Sequence, residues 1–163
     1  MAAVDSPFAI LTAVVAPAIL TNACSILSLG TANRVARVVD RTRVVSRSLK
    51  DLDINHAGRA LYVRQLERLD ARGQLLVRAL RFFYFALGAF AASALLAVLG
   101  SILASWDLGG WFNAAAILAV VTGCSAVVGL VAGCALMVRE TRLAIDNMSE
   151  SAKLHAEGSD FVL

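Results

Sequence analysis

The chain has 163 residues, of which 59% are hydrophobic and only 17% charged, with a net charge of +3 and a mean hydropathy of +0.74. Soluble domains carry about a quarter charged residues; here the apolar excess is gathered into three long blocks, with the charge between and after them. That excludes a soluble globular enzyme, a disordered tail and a disulfide-stapled secreted domain.

The first block, Phe8 to Ala32, holds no charged residue. It exceeds the roughly 20 apolar residues needed to cross a hydrocarbon core of about 30 Å. It lacks a basic leader and is about twice as long as a signal-peptide core, so it reads as a permanent first span. At 100° per residue, Pro17, Thr21, Ser25 and Ser28 share one small, weakly polar face, with Asn22 at its edge. Lipid is as apolar as leucine, so this face is expected to turn away from lipid, as a packing surface or a pore lining. Pro17 removes a backbone hydrogen bond and is expected to kink the helix.

Residues 34–81 follow without a proline. Val35, Val38, Thr42, Val45, Leu49 and Leu52 recur at alternating spacings of three and four, and so do Tyr62, Leu66, Leu69, Gly73, Leu76, Leu80 and Phe83. Each run is an a/d heptad seam. Asp51, Asp53, Asn55 and Gly58 supply turn chemistry between them. The expected structure is an antiparallel helical hairpin, with Thr42 and Gly73 as poor seam fillers that leave a gap. Asp40 and Glu67 offer surface ion-pair partners to the arginines. Arg34, Arg37 and Arg41 stand where the first span ends, as the mouth of a pore or as contacts to lipid heads.

Phe82 to Ser105 and Phe112 to Val138 form the second and third spans, joined by a short turn at Trp106–Trp111. In the third, Ser125, Gly129 and Gly133 make a small-xxx-small ladder that permits close helix approach. The tail from Arg139, with five acidic and three basic residues, carries Leu143, Ile145, Met148, Ala152 and Leu154 as a partial amphipathic helix ending near Gly158. Its charge favours docking on the basic hairpin over lying on an anionic membrane.

Twelve of the 15 basic residues lie in 34–81. The positive-inside rule therefore places that segment and the C-terminus in the cytoplasm, with the N-terminus outside. The fold class is all-α and integral to the membrane: 1–33 an external tail and first span, 34–81 the cytoplasmic hairpin, 82–138 the second and third spans, and 139–163 a cytoplasmic tail.

Chemistry is sparse. Cys24, Cys124 and Cys134 lie within spans with no ligand-like neighbour, and His56 and His155 have no spaced partner. No catalytic residue, cofactor motif or metal set is read, and the basic charge is assigned to topology rather than to nucleic acid. No ionisable residue falls inside a span, which argues against an ion-coupled transporter. More small-residue faces are present than three helices can bury in one protomer. This points to a homo-oligomer in contact with lipid, possessing a channel-like pore along the first span, or to an accessory or scaffold subunit bound to a second membrane protein.

The Pro17-bearing first span, the run Asn33-Arg34, Arg37, Asp40-Arg41 and Arg43 with interleaved valines, and the second basic arm entering an aromatic-led span resemble a bacterial membrane family. It is catalogued as a domain of unknown function, number 2721. The resemblance covers Phe8 to Val138. It implies a bacterial inner-membrane protein with three spans and a cytoplasmic hairpin, and no activity.

Overall fold

The computed structural model describes the backbone of residues 7–51, 59–105 and 109–159, and the side chains of 15–51, 59–103 and 111–145. Three helices account for nearly all of it: α1 (Pro7–Lys50), α2 (Arg59–Ser105) and α3 (Gly109–Ser159). No strand occurs among the described residues. Each helix contains a stretch long and apolar enough to cross a membrane, so the chain is a multi-pass membrane protein. The expected turn residues Asp53, Asn55, His56 and Gly58, together with Leu52 of the seam, lie outside the described residues, as do Trp106 and Asp107.

The helices are long because little in the sequence stops them. Pro17 lies inside α1, which passes through it as one helix. At its far end the Asp51 amide closes the last turn on the Arg47 carbonyl, 3.2 Å away. Arg47 and Lys50 stand in that turn, where cations complement the helix dipole. The third span and the tail helix are a single element, α3, ending at Ser159.

The chain packs as two units. An apolar unit comprises 1–30 and 80–133, and a polar unit comprises 31–79 and 134–163. In the apolar unit, Cys24, Ala86, Phe90 and Ala126 form the core, with Leu20, Leu87, Ala89 and Leu130 against it. Gly129 and Gly133 admit aromatic rings from α2. A Cβ on Gly133 would lie 2.6 Å from the fully buried Phe83 ring, and one on Gly129 2.9 Å from the Phe85 ring. Ser93 donates a hydrogen bond to the Ala119 carbonyl at 2.8 Å, which satisfies a polar group where no water competes. Ile19, Ile26, Val120 and Val128 are among many large apolar side chains left exposed, as a lipid-facing surface requires.

In the polar unit the two predicted seams meet a third helix. Val38, Val45, Leu69 and Leu76 make the core, with Val35, Tyr62, Leu66 and Met137 packed on it. At Gly73, where a gap is expected, a Cβ would sit 3.7 Å from Val38 Cγ1, an ordinary contact, so the space left there is that of about one methyl group. Thr42 turns its hydroxyl to the Val38 carbonyl of its own helix, at 2.8 Å. Near the end of the second seam Phe83 is fully buried as expected, but Ala79 is fully buried where Leu80 is only partly covered. Leu143 and Ile145, expected on the inward face of the tail, are exposed. The inward face of α3 here is Met137, Glu140 and Ala144. Met148, Ala152, Leu154 and His155 have side chains outside the described residues.

Candidate functional site: an arginine cleft around Glu140

Among its described residues the polar unit buries one carboxylate. Glu140, on α3, is 2% exposed. Arg72, from α2, directs both Nε and Nη2 at its Oε1, at 2.9 and 2.8 Å. Arg34, from α1, brings Nη1 to 3.5 Å from Oε2. The same Nη1 reaches the Thr141 hydroxyl at 3.4 Å, and that hydroxyl donates to the Met137 carbonyl at 3.0 Å. A buried carboxylate is costly unless paired and hydrogen-bonded. Glu140 is both, with a cation from each of the other two helices.

Beside it opens a cleft of about 290 Å³. Arg34, Arg37, Arg41 and Arg72 line it together with Glu140, over an apolar floor that includes Val38, Leu69 and Leu76. Spacings of three and four put Arg34, Arg37 and Arg41 on one face of α1, next to the seam residue Val38. Arg37 donates from Nε to the Asn33 carbonyl at 3.4 Å. Neither Arg37 nor Arg41 has a carboxylate partner among the described residues. Asp40, expected to pair with an arginine, lies 3.7 Å from Arg43, and both are exposed.

The three residues assigned to a mouth or to lipid heads thus stand together on one cleft. Arg72 and Glu140 were not foreseen. The signal for Glu140 is the period of α3: Ala126 and Gly133 are buried, and one further heptad lands on Glu140.

The face drawn on the first span divides. Ser28 is buried and Pro17 and Thr21 are partly buried, whereas Asn22 and Ser25 are exposed. Cys24, rather than Ser25, supplies the core contact. Thr21 and Ser25 each return their hydroxyls to their own helix, at the Pro17 and Thr21 carbonyls, 2.8 and 3.0 Å away. Ser28 Oγ is buried without a hydrogen-bond partner among the described residues. In the third span Ser125 is partly buried and donates to the Thr122 carbonyl at 2.7 Å. Gly129 and Gly133 are buried and serve α2 rings. No group of three metal-ligating side chains occurs among the described residues.

No curated protein and no solved structure matches the chain. A family model described as a protein of unknown function, DUF2721, matches residues 14–150. With that match running from the first span past Glu140, the chain belongs to the DUF2721 family.

Proposed function

We propose that the chain is a non-catalytic, homo-oligomeric protein of the bacterial inner membrane, with protomers meeting along the outward face of α1. The observation that carries this reading is Asn22. Its amide lies exposed within a membrane-spanning stretch and has no hydrogen-bond partner among the described residues. An amide facing hydrocarbon is costly. A second copy offers a self-complementary solution, because an amide both donates and accepts and a two-fold pair satisfies both roles. Ser25, one turn on, lets the backbones approach. The excess of Lys and Arg in 34–81 supports a cytoplasmic polar unit and an external N-terminus.

A channel-like pore along the first span is a further step of this reading. Thr21 and Ser28 turn toward the protomer's own packing, so Asn22 and Ser25 are the polar residues left to line it. Native mass spectrometry of protein extracted gently from its own membrane tests the proposal. A single integer multiple of 17.2 kDa is expected, reverting toward monomer in Asn22→Leu. A mass containing another polypeptide would replace this reading with that of an accessory or scaffold subunit. Lack of conductance by the intact oligomer in planar bilayers would remove the pore alone.

A further inference from the structure

The cleft beside Glu140 carries more positive charge than its fold uses. Four guanidinium groups line it and, among the described residues, one carboxylate answers them, an excess of three formal positive charges. Glu140 is engaged by Arg72 and Arg34. Arg37 and Arg41 contribute nothing to that pairing and stand on the same cleft with no anionic partner among the described residues. Like charges gathered over an apolar floor repel one another more strongly than they would in open water. A chain that needed positive charge only for topology could spread it around the helix.

We infer that this cleft is a binding site for a phosphate group. Guanidinium is the side chain suited to that role: it is planar, always charged, and able to give two parallel N–H bonds to one phosphate. Arg37 and Arg41 supply the recognising forks. Arg72 and Arg34, held by Glu140, form a fixed wall and add field. The volume of about 290 Å³ lies near the lower end of the range for small-ligand clefts, about 300–1,000 Å³. It suits a headgroup or a compact phosphorylated molecule rather than a nucleic-acid strand. In sequence, Arg34 and Glu140 each follow the last residue of an apolar block by two positions, the level at which basic pockets meet lipid headgroups. The phosphate can come from an anionic lipid or from a soluble compound. The site does not depend on oligomeric state.

The test uses the full-length chain and two probes. Inorganic pyrophosphate is titrated calorimetrically into protein in maltoside detergent. Separately, retention of phosphatidylglycerol over phosphatidylcholine is read by native mass spectrometry. The variants are Arg37→Gln/Arg41→Gln, which spares the Glu140 pairing, and Arg43→Gln/Arg47→Gln, which removes the same charge from α1 outside the cleft. Wild type binds at least one probe. The first variant weakens that binding about tenfold or more, the loss of one or two charged hydrogen bonds, and the second retains it. Binding of pyrophosphate alone identifies a soluble ligand, and binding of lipid alone a headgroup. Failure of wild type to bind either probe, or equal losses in the two variants, overturns the site.

Discussion

In the apolar unit α2 and α3 meet through rings laid on glycines, Phe83 on Gly133 and Phe85 on Gly129. In the polar unit charges also join the helices, with Arg72 and Arg34 closed on Glu140. The same three helices supply both units, so the contrast arises from surroundings rather than from architecture. Where hydrocarbon is outside, burying an apolar side chain gains little hydrophobic free energy, and cohesion comes from close packing. Where water is outside, apolar burial does drive assembly, and Val38, Val45, Leu69 and Leu76 provide it. The buried carboxylate adds a second requirement, since it is costly unless both arginines are brought to it.

The comparison can be broken most directly at Arg72. Arg72→Ala leaves Glu140 buried with Arg34 alone, at 3.5 Å, and should cost about 3–5 kcal/mol. Hydrogen exchange should quicken in residues 59–79 and stay slow in 80–103. Adding Glu140→Gln should recover much of the loss, because no charge is then stranded. Uniform loosening of α2 would contradict the division into two kinds of cohesion.

A smaller effect is expected in the apolar unit. Gly133→Ala forces a methyl against a ring with no exposed side to yield into, at about 1–3 kcal/mol. Gly129→Ala should cost less, because Phe85 is 54% exposed and can swing outward. Thermal melts of the two variants in detergent read the order, and the reverse order would refute ring-on-glycine packing as the cause. The smallest effect belongs to Gly88→Ala. Nothing lies within 4 Å of a Cβ there, and the gain in helix propensity is at most about 1 kcal/mol. Its melting temperature should be unchanged or slightly raised.

Much of this was readable from residue order. The three apolar blocks, the helical segments between the first two and the residues of both heptad seams follow from periodicity, whereas the inward face drawn on the tail does not, since Leu143 and Ile145 are exposed. Nor does the choice of inward residues on the first span. Cys24, Ser25 and Ser28 are all small and weakly polar, so no difference in hydrophobicity says which of them faces a neighbour. Following the valine seam backward would have helped, because Val38, Thr31 and Cys24 are seven apart and all buried. Glu140 escaped notice for another reason. A carboxylate just past a membrane block reads as solvated, and only the three-dimensional meeting of α3 with Arg72 makes it internal.

Glu140 also sets an order on the making of the molecule. The four arginines of the cleft belong to α1 and α2 and leave the ribosome first; the carboxylate that answers two of them comes on α3. Until the third span is threaded, the four arginines of the cleft have no carboxylate in its lining to face. A third span inserted with the wrong polarity would carry Glu140 to the opposite side of the bilayer. The pairing of Arg34 and Arg72 with one acid thus requires all three helices to present these ends on the same side of the membrane.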